Sequence, residues 1–273
     1  MEVLSEDTIE RWVLPYLSKG KRGPKPDVEL TDVVRAIFHR LKTGCQWRFL
    51  PVKEFFEKKR ITAAGVYHHH RKWIRDGSWR RVWVELLKVN RHLLELSSMQ
   101  LDGSQTPCKK QGENIGYQKR KKGRTTNALF LCDKEGQPLA IATPQAGNHH
   151  DLYAIESLFR EMCALLEEAG IDLSGVFMNA DAGFDAEELR AVCREKEIEV
   201  NIDKNQRNEK EPQDEYVYFD ELLYKQRYVI EQTNAWLDGF KTLLVRYEVK
   251  LNTWIADHFM AFVILFLKRK LIC

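Results

Sequence analysis

No pair of cysteines in this 273-residue chain has CxxC spacing; the six stand at 45, 108, 132, 163, 193 and 273. That pattern gives neither a zinc site nor a disulfide framework, so reduced thiols in a cytosolic protein are the expectation. The first residues, MEVLSEDTIERW, lack a basic segment followed by an apolar one, so nothing there marks the chain for secretion. Long apolar runs are missing too. The run 260–267 is far shorter than the roughly 20 residues of a membrane span, which predicts a buried C-terminal helix and no membrane partner. No long tract is polar and aromatic-poor. With 44% hydrophobic and 30% charged residues the chain can bury a core.

The net charge of +3 conceals an asymmetry. Residues 1–100 carry 20 Lys/Arg against 12 Asp/Glu, and residues 101–150 carry 8 against 4. Residues 151–200 reverse the sign, with 4 against 13. A basic front half suits a polyanionic partner, with carboxylates reserved elsewhere. Solvated surface charge gives the same totals.

The patterning divides near residue 97. Over 1–96 it predicts short helices with basic faces and brief connections. Ser5 is a candidate cap for a helix within 1–19, and GKRGPKP (20–26) breaks it. Thr31 is the expected cap of a second helix, ended by Gly44. Helices over 52–60 and 62–75, an Asp76-Gly77 turn and a helix over 78–96 follow. The tryptophans at 47, 73, 79 and 83 suit core anchors. The expectation is an all-α, helix-turn-helix-like domain. Over 97–273 strands and helices alternate. SSMQLDGSQ suits a strand with Asp102 at its edge, and NALFLCDKEGQPLAIATPQ suits two strands around a turn. A helix over 152–169, a strand over 176–179, a helix over 185–196 and a strand over 198–202 follow. A polar stretch then leads into one long helix over 219–247 and a last apolar helix. This order predicts an α/β domain with a mixed sheet.

Two aspartates stand beside glycine-containing turns: Asp102 before Gly103, and Asp181 before Ala182-Gly183. Residue type leaves two readings open. They are turn-forming aspartates, or paired carboxylates at strand ends that share a hard cation. On a continuous helix Tyr224, Arg227, Glu231 and Asp238 fall within about 60° of one another, opposite Val229, Ile230, Leu237 and Phe240. A solvated polar face has the same periodicity.

The segment YKQRYVIEQTNAWLDGFK carries Y-x2-R-x3-E as Tyr224, Arg227 and Glu231. With MQLDGSQ, NADAGFD and GNHHD (147–151), and with RGPKP, TGCQWRFLP and RKWIRDGSW in the front half, the chain resembles bacterial insertion-sequence transposases of the insertion sequence five family, which are DDE-type enzymes. The resemblance implies an RNase H-like mixed sheet flanked by helices over 97–273, preceded by the helical DNA-binding domain over 1–96. It implies Asp102, Asp181 and Glu231 as catalytic acids and ligands of two Mg2+ or Mn2+ ions. It further implies cleavage of double-stranded DNA at terminal inverted repeats, transfer to target DNA, a homodimer or larger assembly, and a cytoplasmic, nucleoid-associated location. Tyr224 and Arg227 would position a phosphate.

The family's signature Lys falls at Asp238; Lys241, one turn on, is the nearest stand-in and lies off the stripe. In YQKRKKGR (117–124) five of eight residues are basic: Lys119, Arg120, Lys121, Lys122 and Arg124. They suit a phosphate clamp, and Lys204 and Arg207 are further candidate DNA contacts. His68, His69 and His70 diverge around a helix, which suits phosphate contact or a polar surface rather than one metal. A nuclease that cuts without joining would carry the same acids. A non-catalytic DNA-binding regulator would not need all three.

Overall fold

A computed structural model describes residues 3–20, 28–56, 61–204 and 219–271. In chain order its helices and strands are α1 (Glu6–Trp12), α2 (Leu30–Thr43), α3 (Ala63–Arg75), α4 (Ser78–Asn90), β1 (Ser98–Pro107), β2 (Gly116–Gln118), β3 (Gly123–Asp133), β4 (Pro138–Ile141), β5 (Gln145–Ala146), α5 (Ile155–Glu168), β6 (Phe177–Asn179), α6 (Glu187–Glu195), β7 (Glu199–Asn201), α7 (Glu221–Lys225), α8 (Tyr228–Asp238), α9 (Lys241–Leu244) and α10 (Leu251–Phe266). They gather into two compact units. One comprises residues 1–89, 107–113 and 236–273, the other 90–106 and 114–235. The units are therefore discontinuous, where the sequence suggests a single boundary at 96/97.

In the first unit, local capping sets the helix ends. The Ser5 hydroxyl accepts from Thr8 N–H at the start of α1, and Thr62 accepts from Gly65 N–H at the start of α3. Gly44 ends α2 in the left-handed region at φ 69°, open to a residue without a β-carbon. Thr31, the expected cap of α2, instead lies buried inside it, and Glu29 takes the cap position. The expected helix over 52–60 is a short 3-10 turn at Val52–Glu54; residues 57–60 and most of GKRGPKP lie outside the described residues. Trp73, Trp79 and Trp83 are fully buried, as core anchors should be. Trp79 meets Trp73 edge-on, and Trp83 meets Phe262 and Phe266 of α10. Leu251–Leu271 is apolar and long enough, by length and composition, to cross a membrane, but most of its apolar stretch is buried inside the protein. It is the expected buried C-terminal helix, apolar on every face because protein surrounds it.

The second unit is a mixed sheet in the order β2-β3-β1-β6-β7, with β4 and β5 also paired to β3. β1, β6 and β7 run parallel, whereas β2, β4 and β5 run antiparallel to β3. This is the mixed α/β layer expected from the alternation of elements. β1 is longer than its sequence suggests. It passes through Asp102 instead of ending there, because its outer half is held from the side. Thr125 Oγ1 lies 3.1 Å from Gln105 Oε1, and Lys121 Nζ donates to the Gln105 carbonyl at 2.9 Å.

Three fully buried amides, Gln100, Asn179 and Asn201, occupy matched positions on β1, β6 and β7. Asn179 Nδ2 donates to Gln100 Oε1 (2.8 Å), and Asn201 Nδ2 donates to Asn179 Oδ1 (2.7 Å). The ladder then leaves the sheet. Asn201 exchanges two bonds with the Asp220 backbone, and Asn179 Nδ2 also donates to the Leu223 carbonyl at 3.2 Å. The Asp220 carboxylate in turn caps α7 through the Leu222 and Leu223 N–H groups.

These contacts explain why the single long helix expected over 219–247 is instead α7, α8 and α9. At the α7–α8 junction the bonds tighten to i→i−3: Gln226 N–H to Leu223, Arg227 N–H to Tyr224 and Ile230 N–H to Arg227. Residue 239 is glycine, which ends α8. Replacing Asn179 with Ala leaves Gln100, Asn201 and Leu223 each short of a partner inside the protein. The expected loss is about 1–3 kcal/mol, read as a lower urea midpoint with the slope kept. An unchanged midpoint would show that the ladder is not structural.

Candidate active site

The β1–β6 register pairs Ser98 with Phe177, Met99 with Met178 and Gln100 with Asn179. Carried on by two residues, the same register sets Asp102 against Asp181. Adjacent strands lie about 4.8 Å apart, so the amide ladder and the two acids are consecutive rungs on the same side of the sheet. The two acids are held differently. Asp181 does form a turn: its Oδ1 accepts from Gly183 N–H at 2.7 Å and caps the short turn Ala182–Phe184. Asp102 lies inside a strand, where the turn reading has no application.

The Asp102 carboxyl is pushed up to about 6. Desolvation is the largest cause. The Arg227 cation and the Gly103 N–H oppose it, and the charges of Asp181 and Asp151 add to it. Asp102, Asp151, Asp181 and Arg227 are thus one electrostatic group. Tyr224 joins through Arg227, whose guanidinium carbon lies 5.9 Å from the Tyr224 ring centre. Phe219 packs on the other part of that ring, 5.2 Å between centroids.

Glu231 stands apart. Its side chain is 70% exposed and reaches toward Arg227 at 3.9 Å, an i,i+4 pair along the chain. Among the described residues no three His, Cys, Asp or Glu side chains are grouped closely enough to hold a metal. The structure therefore brings Asp102 and Asp181 together and leaves Glu231 turned to solvent.

The basic candidates divide. Lys119, Arg120, Lys121, Lys122 and Arg124 are all exposed on and beside the β2–β3 turn, which Lys121 ties to the outer half of β1. Lys204 follows β7 and its N–H donates to Asp203; Arg207 lies outside the described residues. Lys241 opens α9 in the first unit, its backbone pressed against Gly44 of the same unit. His149 stacks on Tyr153 at 3.6 Å and His150 Nδ1 accepts from Leu152 N–H, so both serve their own loop. Residue Asp151 was missed by the sequence reading. It belongs to the GNHHD block, but as an acid just before a helix it has the look of an ordinary cap.

Residues 101–266 match the family model described as "DDE superfamily endonuclease", and residues 8–83 match "Putative transposase of IS4/5 family". The chain belongs to the DDE superfamily endonucleases. It is a DNA transposase of the DDE type with a mixed sheet, as the resemblance of its motifs implied. No curated protein matches this DDE chain. Among solved structures it is similar to three assemblies of the Mos1 transposase, each at 13% identity. The strand transfer complex is covered over 98% of this chain and 85% of that one, with a TM-score of 0.33. The paired-end complex with the left transposon end is covered over 96% and 86%, at 0.30, and the pre-cleavage transpososome over 94% and 85%, at 0.31.

In the metal-free DDE protein, carboxyl-detected NMR should place Asp102 near 6. Arg227→Gln should raise that value, because a cation that favours the charged form is gone. Asp181→Asn should lower it, because a repelling charge is gone. A midpoint near 4 that neither substitution moves would dissolve the group.

Proposed function

We propose that this transposase cuts DNA at the ends of its element and joins the freed 3′ ends to target DNA, with Asp102, Asp181 and Glu231 as its catalytic acids. The observation that carries the reading is that Asp102 in β1 feels the charge of Asp181, two residues past the end of the paired strand β6, with the Arg227 cation also acting on Asp102. A divalent cation suits the donors present. All three acids offer only carboxylate oxygens, which hard ions prefer. Burial first, and then the charges of Asp181 and Asp151, lift Asp102, and a cation beside it would relieve that cost. Asp102, Asp181 and Glu231, the last turning in from solvent, would hold the Mg2+ or Mn2+ ions. Such a pair, when bound, supplies Lewis-acid stabilisation and a more acidic water at neutral pH.

The protein's own groups account for binding and orientation. Arg227, steadied over Tyr224, offers a planar fork to a phosphate. Turning Glu231 inward frees that fork from its 3.9 Å partner. The exposed cations at 119–122 and 124 suit the phosphate backbone beside the outer half of β1, with Lys204 and Arg207 as further contacts. Two displacements then occur at phosphorus. Water attacks and the 3′ oxygen leaves as a hydroxyl; later that 3′ hydroxyl attacks a target phosphate, gives up its proton, and the target strand's own 3′ oxygen leaves. Both are in-line, so one site serves both.

Residues 1–96 form the DNA-binding part and 97–273 the catalytic part, a division supported by the spans of the two family models. In the first unit, α3 offers a cavity of about 440 Å³ lined by Tyr67, His68, Arg71, Lys72, Arg75 and Asp76, a basic surface suited to phosphate. The partners are the element's terminal repeats and target DNA, met by a homodimer or larger assembly, and the enzyme works in the bacterial cytoplasm at the nucleoid. Lys241 would replace the signature Lys as an end contact.

Asp102→Ala and Asp181→Ala should each abolish Mg2+-dependent cleavage of terminal-repeat DNA while retention in a gel-shift assay persists. Glu231→Ala should do the same if it turns inward. Cleavage surviving all three changes would remove the acids from the chemistry. Cleavage without joined product would reduce the enzyme to a nuclease.

A further inference from the structure

Of the helices α2, α3 and α4 in the first unit, only α3 offers a continuous outer surface. Along α2 Thr43 alone is exposed, and along α4 only Arg81, Lys88 and Val89 are. Arg81 is already engaged, donating from Nε to the Tyr16 carbonyl (2.8 Å) and from Nη2 to Ser78 Oγ (2.9 Å). On α3, by contrast, Ala64, Tyr67, His68, Arg71 and Arg75 are all exposed. They fall within about 100° of one another around the helix. Val66, His70 and Trp73 are buried on the opposite side.

The stripe is held firmly. Thr62 caps α3 at its start. At its end Lys72 Nζ and Trp73 Nε1 both donate to the Ser18 carbonyl, at 2.9 and 3.1 Å, and the Asp76 carboxylate accepts from the Ser18 hydroxyl and from Ser78 N–H. Lys72 and Asp76, at the edge of the stripe, are therefore occupied by the protein itself. The Arg71 guanidinium carbon lies 5.7 Å from the Tyr67 ring centre, a cation–π contact that steadies its fork. Among the described residues Arg71 and Arg75 form no ion pair.

Phosphate alone has no use for Ala64 and Tyr67 in the middle of this surface. Base edges do. An arginine fork matches guanine, a small methyl meets the thymine methyl, and a helix fits the major groove, about 12 Å wide. From Ala64 to Arg75 the stripe is roughly 16 Å long, enough to follow several base pairs. The order of the elements would name a different helix. α3 and α4 are joined by Asp76-Gly77 alone, with Gly77 at φ 68°. In a helix-turn-helix the second helix enters the groove, but here α4 is spent on the core through Trp79, Val82, Trp83, Leu86 and Leu87.

We propose that α3, and not α4, reads sequence in duplex DNA, with His68 and Arg71 on base edges in the major groove and Arg75 on the flanking phosphates. The inference rests on the DNA-binding reading of the front half given above, and it adds which helix and which side chains carry specificity.

The test is selection by the full chain, without divalent cation, from a pool of duplexes with a randomised centre. The native chain should enrich a defined sequence. Arg71→Lys keeps the charge and loses the fork. It should erase the preference at one or two base pairs and weaken binding to the selected duplex about 5- to 150-fold, while affinity for unselected duplex stays. His68→Ala should relax a neighbouring position. Lys88→Ala on α4 should leave the selected sequence unchanged. If the Arg71 and His68 variants select the native sequence, or if Lys88→Ala changes it and they do not, the inference fails and DNA binding stands. Retention of every duplex alike by the native chain has the same meaning. If the native chain retains no duplex, the inference and the DNA-binding reading fail together.

Discussion

Carboxylates at matched positions of neighbouring parallel strands repel one another, and the second unit is organised around holding them there. The repulsion is tolerated because the register is locked two residues earlier. Gln100, Asn179 and Asn201 fill the adjoining rung with amides that can bond only in that alignment. A slip of one residue would put both acids on the opposite face of the sheet and would leave three buried amides unpaired. The ladder also extends past the sheet to Asp220 and Leu223, so the lock on the acids also fixes the helix that carries Tyr224 and Arg227. Stability and the geometry of the site are thus the same set of hydrogen bonds.

Much of this was legible in the residues. Strand and helix alternation predicted the mixed sheet, and Asp102 and Asp181, the acids next to glycines, do come near enough to interact. The Y-x2-R-x3-E spacing picked out Arg227 and Glu231, which lie 3.9 Å apart. Periodicity misjudged the helix itself, because it assumes a constant turn. The sheet's amides bond the Leu223 carbonyl and the junction tightens, while Glu231 is largely exposed and still reaches toward Arg227. A side-chain bond formed across 44 residues leaves no local trace. Asp151 was hidden for the same reason: what distinguishes it is its rest on Gly103, 48 residues earlier, and an amide from Asn127. The long-range packing of Trp83 on Phe262 and Phe266, which draws 236–273 into the first compact unit, was not visible in the sequence.

Charge is distributed in a way that suits these tasks. Around Asp102 the charges of Asp181 and Asp151 are met by one arginine, a deficit of positive charge that favours a cation. On the β2–β3 turn and along α3 the excess is basic and exposed, where phosphate can displace water and counterions. Negative charge is concentrated where an ion is wanted, and positive charge where a backbone is wanted.

The central claim is that the matched pair Asp102 and Asp181 holds a divalent ion. Anomalous diffraction from crystals of the full chain grown with Mn2+ tests it most directly. The account predicts a peak between those two carboxylates. A fully occupied Mn2+ peak elsewhere, with Asp102 and Asp181 left bare, would contradict it.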